Sequence, residues 1–184
     1  MWIKRDEIMI LKIYNDVELL IDEEDVERVL KILSKNAMWH LNSKTNQVQG
    51  WCNLFPNGQY PKKVKKLLSR VIMCCNDPTM DVDHIHHNLL DFRKSELRVC
   101  SHRENCFNQK LLKSSNTSGY KGVYKRRNGW CARIRTKYGR IHLGDFKAAE
   151  DAASAYDRAA IKYHGVYAQL NFAKIIWNGE IKLP

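Results

Sequence analysis

The stretch YKGVYKRRNGWCARIRTKYGRIHLGDF, residues 120 to 146, decides the fold of the C-terminal part of the chain. Apolar and polar residues alternate along it, which is the pattern of strands that bury one face. Two turn signals interrupt the alternation: the pair Asn128-Gly129, a strong hairpin signal, and Gly139 after a tyrosine. The stretch therefore predicts three antiparallel strands joined by two tight turns.

A helix is predicted immediately after this sheet, in KAAEDAASAYDRAAIKYHG, residues 147 to 165. Its small and aromatic residues fall at helical spacing on one face: Ala149, Ala152, Ala153, Tyr156 and Ala160. Gly165 is a typical helix stop. Because alanine side chains permit close approach, we expect the helix to pack tightly on the sheet.

Upstream, the segment KSSNTSG at 113 to 119 is polar and predicts a linker. Before it, SHRE at 101 to 104 has the form of a capping box, so a helix should begin near His102. Residues 8 to 21 suggest one or two strands, followed by a short amphipathic helix with Asp22 as its N-cap. The basic segment at 61 to 75 is compatible with either a helix or a strand.

The composition favours a folded protein with a polyanionic partner. The chain has 184 residues, 44% of them hydrophobic, which is enough for a core. It carries 31 Lys and Arg against 20 Asp and Glu, a net charge of +11. Basic side chains gain affinity for nucleic acid by releasing counterions from phosphates. A merely soluble basic surface is the alternative.

The chain lacks the sequence signals of secretion or membrane insertion. The N-terminus is charged within six residues, and the longest apolar run, VIMCC at 71 to 75, is far too short for a membrane span. We therefore expect an intracellular protein in the cytoplasm of the host cell.

The cysteines are expected to be reduced thiols rather than disulfides or zinc ligands. Cys74 and Cys75 are adjacent, and Cys100 and Cys106 are separated by five residues. Neither spacing is the two-residue separation with which paired thiolates share one tetrahedral zinc ion. Zinc is therefore not expected at these thiols.

The stretch TMDVDHIHHNLLDFRKSELRVCSHRENCFNQK, residues 79 to 110, contains residue types suited to phosphodiester cleavage. That reaction needs a cation to stabilise charge on the phosphate and a base to activate water. Asp83 suits the cation and His84 suits the base, while Asn105 on the following helix could supply a second ligand. Oxygen ligands favour Mg²⁺ or Mn²⁺. The alternative is a solvated polar loop that happens to be rich in histidine.

This stretch resembles the core of the HNH nuclease family in its phage form. The resemblance implies a β-hairpin and helix around one divalent cation, with Asp83 and Asn105 as metal ligands and His84 as general base. Asn108 would end the motif, and Glu96 would stand where relatives have the asparagine that braces the metal loop. Two further departures, Phe92 and Ser69, leave open a weakened or decayed nuclease.

Residues 118 to 172 resemble the AP2 DNA-binding domain, through GV, LG.F, A..AYD.AA.K..G and the closing LNF. The resemblance implies that the sheet lies in the major groove of double-stranded DNA. By position in the motif, the side chains expected to face DNA are Lys121, Tyr124, Arg126, Arg133, Arg135, Arg140 and His142. Trp130 is expected in the core between sheet and helix.

Together these observations predict an α+β chain: a ββα-metal (HNH) nuclease core with an N-terminal α/β extension, then an AP2-type three-stranded antiparallel sheet plus helix. The expected parts are a nuclease domain at 1–112 with its core at 79–110, a linker at 113–117, an AP2-type domain at 118–172 and a tail at 173–184.

The leading functional hypothesis is a metal-dependent homing endonuclease that nicks or cuts double-stranded DNA. The alternative is a weakened or inactive nuclease that acts as a DNA-binding protein or regulator. A third hypothesis is a transcription factor whose N-terminal part is a dimerisation module. The sequence leaves open whether the protein is a monomer or a dimer.

Overall fold

The computed structural model describes residues 2–5, 8–32, 38–54, 62–110, 116–172, 175–177 and 180–182. The chain divides into two compact units, Met1–His102 and Arg103–Pro184. The division therefore precedes the linker predicted at 113–117, of which residues 113–115 lie outside the described part. Both units combine antiparallel sheets with helices, as expected for an α+β chain.

In its described residues, the first unit has two three-stranded sheets, one hairpin and two short α-helices. The first sheet has the order β1-β2-β3 and the second the order β4-β5-β6. The strands are β1 Trp2–Arg5, β2 Ile8–Lys12, β3 Glu18–Asp22, β4 His40–Leu41, β5 Val48–Leu54, β6 Lys62–Leu67, β7 Met80–His84 and β8 Leu97–Ser101. The helices are α1 Val26–Lys31 and α2 Leu68–Ile72.

The core of the first unit is formed by aliphatic side chains and by Phe92, which is 1% exposed. The backbone on either side of Phe92 is joined to β3, since Phe92 N donates to Leu20 O at 2.8 Å and Leu20 N donates to Leu90 O at 3.0 Å. The loop between β7 and β8 is thus held against the first sheet. Phe92 has a packing role that accounts for an apolar residue at this position.

Two local predictions for this unit are refined by the structure. The basic segment at 61 to 75 is predicted as either a strand or a helix. In the structure it forms strand β6 up to Leu67 and then helix α2 from Leu68. Asp22 precedes a 3-10 turn, Glu23–Asp25, and makes no side-chain capping bond there. Its Oδ2 instead accepts a hydrogen bond from Lys94 N at 2.8 Å. The carboxylate therefore holds the β7–β8 loop rather than a helix N-terminus.

The second unit contains a three-stranded antiparallel sheet of order β11-β10-β9, as predicted. The strands are β9 Val123–Arg126, β10 Gly129–Thr136 and β11 Gly139–Phe146. Helix α4, Ala149–His164, covers one face of this sheet and ends at Gly165, whose φ is 56°. The first turn is made by residues 127 and 128, so Gly129 already pairs with Arg126.

The helix packs on the sheet through the alanine face predicted from the sequence. Ala152, Ala153 and Ala160 are fully buried, and Ala149 and Tyr156 are 8% and 3% exposed. They contact Val123, Ala132 and Ile134 from the strands. Trp130 is partly buried against the same cluster, as expected, with Lys125 Nζ 4.3 Å from the centre of its ring.

Two further elements complete the described chain. Helix α3, His102–Asn108, begins at the residue predicted from the capping box. In the predicted tail, β12 Ile175–Trp177 pairs with β13 Glu180–Lys182 in an antiparallel hairpin. Within the described residues, no helix combines the length and apolarity needed to cross a membrane.

Candidate nucleic-acid interface

The register of the β9–β11 sheet separates a buried face from an outer face. Residues that are paired across antiparallel strands point to the same side of the sheet. Ala132 pairs with Val123, and Ile134 with Ile141, on the side covered by α4. Cys131, paired with Tyr124, belongs to the opposite side. The outer face is therefore defined by the register and not by exposure alone.

The outer face of the sheet carries basic and aromatic side chains from all three strands. Arg133 pairs with His142 and Arg135 pairs with Arg140. Six side chains predicted to face DNA lie on this face: Tyr124, Arg126, Arg133, Arg135, Arg140 and His142. All are exposed or half-exposed. The structure brings these six residues together as one surface.

The pairing of Arg135 with Arg140 is informative about the partner of this surface. Like charges directly opposite on neighbouring strands destabilise a sheet. In the described part of the chain, the four arginines of this face form no ion pair with a carboxylate. Among the described residues, therefore, no ion pair relieves this repulsion. A polyanion that contacts both guanidinium groups would relieve it.

A register shift between Ala132 and Arg133 affects which residues meet on this face. Ala132 pairs with Gly144, whereas the next residue, Arg133, pairs with His142. Such a bulge places an extra residue in one strand and increases the local twist. As a result, His142 Nδ1 lies 3.5 Å from Cys131 Sγ, and His142 Nε2 lies 3.4 Å from Asp145 Oδ2. Sequence reasoning missed Cys131 and Asp145 because their approach depends on this register.

Lys121, the seventh residue predicted to face DNA, is engaged elsewhere. Its Nζ donates to Phe107 O at 2.6 Å and to Gln109 O at 2.7 Å. Phe107 in turn stacks on the ring of His164, with centroids 3.8 Å apart and planes 6° apart. Lys121 therefore ties the end of α3 to the sheet instead of extending the outer face.

Burial lowers the pKa of Lys121 to about 8, from the ordinary value of 10.5. The folded state then releases this proton at lower pH than the unfolded state, so the free energy of unfolding rises with pH between about 8 and 10.5. Below pH 8 the full cost of burying the ammonium is present. We expect Lys121→Met to remove about 1 kcal/mol of this rise between pH 7.5 and 9.

Urea unfolding at both pH values, compared for the two proteins, measures this difference. Lys162→Met, at an exposed position of α4, is the matched control and should keep the parent's pH dependence. An identical pH dependence in parent and Lys121→Met would contradict the lowered pKa.

The residues predicted to form a nuclease site have other structural partners. Asp83 is 8% exposed, and its Oδ2 accepts bonds from Arg98 Nε at 3.0 Å and Nη2 at 2.7 Å. His84 ends β7 with its ring edge-on to Phe92, at a centroid distance of 5.1 Å, and burial lowers its pKa. The carboxylate is thus part of a buried ion pair and the imidazole packs against the core.

The remaining residues of the predicted motif are distributed over both units. Glu96 Oε2 lies 2.7 Å from His86 Nδ1, and Glu96 O accepts a bond from Ile85 N at 2.9 Å. Asn105 is half-buried in α3 and Asn108 is buried at its end, in the second unit.

Comparison with known proteins relates the chain to transcription factors. An ethylene-responsive transcription factor of Arabidopsis thaliana is 33% identical over 133 residues, which cover 67% of this chain and 74% of that protein. A transcription factor with AP2/ERF and B3 domains, also from Arabidopsis thaliana, is 53% identical over 49 residues, 26% of this chain. APETALA2-like protein 2 of Oryza sativa subsp. indica is 40% identical over 70 residues, 37% of this chain. No protein-family model matches the chain.

The chain spans only 14% and 16% of the lengths of the latter two relatives. The names of the two Arabidopsis thaliana relatives nevertheless overturn the prediction of an endonuclease, because both are called transcription factors and neither is called a nuclease. The hypothesis of a homing endonuclease is therefore wrong, and its alternative, a DNA-binding regulator, is favoured. The expectation of Mg²⁺ or Mn²⁺ at Asp83 and Asn105 stays a prediction from the residue types.

Proposed function

The chain belongs to the AP2/ERF family of transcription factors, and from this premise we propose that it is a regulator that binds double-stranded DNA through the outer face of the β9–β11 sheet. The observation that carries the proposal is the alignment of Arg133 with His142 and of Arg135 with Arg140 on that face. The net charge of +11 supports the same partner.

The geometry of this face suits the major groove. A narrow β-ribbon fits into that groove, where each base pair presents a distinct pattern of hydrogen-bond donors and acceptors. Arginine can make two parallel hydrogen bonds to guanine, and it can also bind phosphates. Tyr124, 56% exposed, offers an aromatic surface beside the arginines. The face thus combines side chains for base reading with side chains for backbone contact.

The side of the unit formed by α4 serves a different purpose. Its alanine face is buried against the sheet, so the helix supports the strands and is not available to enter a groove on that side. Helix α4 also carries exposed cations, among them Arg158 and Lys162. These two residues provide a matched comparison, since they carry the same charge at a distance from the proposed interface.

We expect the double variant Arg133→Gln with Arg135→Gln to lose about 30-fold or more in affinity for a preferred duplex, because each base contact by arginine contributes about 1–3 kcal/mol. The measurement is fluorescence anisotropy with duplexes selected by the full chain from a random pool. The control, Arg158→Gln with Lys162→Gln, removes equal charge from the helix and should bind nearly as the parent does.

Salt dependence distinguishes the two kinds of contact. Each lost phosphate contact lowers the slope of log affinity against log salt by about 0.9, whereas a lost base contact changes the preferred sequence. Equal weakening by both double variants, with no change in sequence preference, would contradict binding through the outer face and indicate a diffuse basic surface.

A further inference from the structure

We infer that Cys131, His142 and Asp145 form a zinc-binding site on the outer face of the β9–β11 sheet. Cys131 and Asp145 are direct partners across β10 and β11, and His142 belongs to the second pair further along, opposite Arg133. One ligand atom from each of the three side chains lies within 4.8 Å of the other two. The site combines a thiol, an imidazole and a carboxylate, three of the groups that bind zinc in proteins.

Cys131 and Asp145 each approach the His142 ring at the distance expected between two ligands of a tetrahedral zinc ion. Zinc bonds of about 2.0–2.3 Å at tetrahedral angles separate neighbouring ligand atoms by about 3.4–3.6 Å. In the structure, Cys131 Sγ is 3.5 Å from His142 Nδ1, and Asp145 Oδ2 is 3.4 Å from His142 Nε2. Little movement of the strands is therefore needed to bring these side chains around one ion.

One side-chain rotation is required, because the two short distances involve opposite nitrogens of the His142 ring. A single ion binds one of these nitrogens. The side chains of His142 and Asp145 are 49% and 65% exposed, so both are free of the packing that would restrict such a rotation. Cys131 is fully buried and fixed by the strand. The site thus has one rigid ligand at its base and two adjustable ligands at the surface.

The charge of the cluster also favours a cation. Asp145 is the one acidic side chain on the outer face of the sheet as described, and it lies among arginines that bind no carboxylate. A carboxylate on this face works against the binding of phosphate unless a cation neutralises it. The negative charges of the Cys131 thiolate and the Asp145 carboxylate would together balance the +2 charge of a zinc ion. Three protein ligands would leave a fourth position for water.

The ligand set selects the kind of metal. Thiolate and imidazole are soft or borderline ligands, which favour zinc over Mg²⁺, whose sites are built from oxygen. The spacing of the residues along the chain gives no hint of this site, because Cys131 is on one strand and His142 and Asp145 are on the next. Strand pairing alone brings them together.

The test uses the full chain, reduced and freed of metal by a chelator that is then removed. Zinc binding is measured by calorimetric titration, and Co²⁺ is used as a probe whose near-ultraviolet absorption reports a thiolate ligand. We expect His142→Gln and Asp145→Asn each to raise the zinc Kd about tenfold or more, and Cys131→Ser to abolish the thiolate band. Cys74→Ser, at an exposed thiol, is the control and should retain both.

The surface variants keep the test valid if Cys131→Ser fails to fold, since His142 and Asp145 are exposed and contribute little to the core. A thiolate band that persists in all three ligand variants, or zinc binding that none of them weakens, would overturn the proposal. No DNA is present in these measurements. A failure to bind zinc is therefore distinguishable from a failure to bind DNA, because the expected effect of the Arg133 and Arg135 variants is measured separately.

Discussion

Gly122→Ala is expected to remove about 2–5 kcal/mol from the free energy of unfolding of the second unit. Gly122 has a φ of +76°, and an added Cβ would lie 2.0 and 2.3 Å from two ring carbons of Tyr156 and 2.8 Å from Arg133 O. Tyr156 is 3% exposed, so its ring has no space to move away. The variant therefore combines backbone strain with overpacking of the core.

The chain provides a close control for this substitution. Gly119 has nearly the same φ, +74°, but an added Cβ would meet nothing within 4 Å. Gly119→Ala should cost only the backbone strain, about 1–2 kcal/mol. The difference between the two variants isolates the contact with Tyr156.

Urea unfolding measures the loss of stability in each of the two alanine variants. Amide hydrogen exchange along β10 shows that the loss occurs in the second unit. We also expect Gly122→Ala to weaken DNA binding, because Gly122 O accepts the hydrogen bond from Arg133 N at 2.8 Å. Equal stability of the two alanine variants would show that the ring of Tyr156 can yield, and would contradict the expected clash.

Asp157→Ala is expected to have a similar effect, a loss of about 2–5 kcal/mol, through hydrogen bonding and not through packing. Asp157 is fully buried in α4. Its carboxylate accepts bonds from Asn171 N at 2.9 Å, Asn171 Nδ2 at 3.0 Å and Phe172 N at 3.0 Å. Alanine would leave the half-buried Asn171 N and Phe172 N without this acceptor.

The effect should extend to the strand that begins after Lys121. Asn171 Oδ1 accepts a bond from Lys121 N at 2.6 Å, and Asn171 Nδ2 donates to Lys121 O at 3.1 Å. Asp157 thus orients the side chain that holds the start of the sheet. Faster hydrogen exchange at Asn171, Phe172 and Lys121 is the expected signature.

Asp151→Ala is the matched control for Asp157→Ala. Asp151 is exposed in the first turn of the same helix, where a carboxylate contributes only about 0.3–1 kcal/mol. Unchanged exchange at Asn171 and Phe172 in Asp157→Ala would contradict the expected loss of stability, because water would then replace the carboxylate at little cost.

The second unit was predictable because its signals are local. The strands follow from alternation, the turns from glycine and asparagine, and the helix from its alanine face and Gly165, all of which are features of neighbouring residues. Six of the seven side chains expected to face DNA lie on one surface for the same reason. Lys121 differs because its partners, Phe107 O and Gln109 O, come from an element that alternation cannot relate to it.

The first unit was harder to predict because its interactions are not local. Phe92 looked like a departure from a nuclease loop, but it is a core residue joined to Leu20 across a long stretch of sequence. Asp83 had the residue type of a metal ligand, and strand pairing places Arg98 directly opposite it. The adjacent residue types of Asp83 and His84 predicted a catalytic site. In the structure, Asp83 forms an ion pair with Arg98 and the ring of His84 packs against Phe92.

The docking of α3 has a consequence for how this DNA-binding module can be exchanged between proteins. Phe107 covers the buried ring of His164, whose Nε2 donates to Arg135 O at 2.8 Å on the strand that carries the proposed reading residues. A recombination joint placed in the polar segment just before residue 118 would transfer the sheet without this cover. The compact unit that contains the sheet begins at Arg103, ahead of the motif at residues 118 to 172, so a transferred segment keeps this cover only if it includes α3.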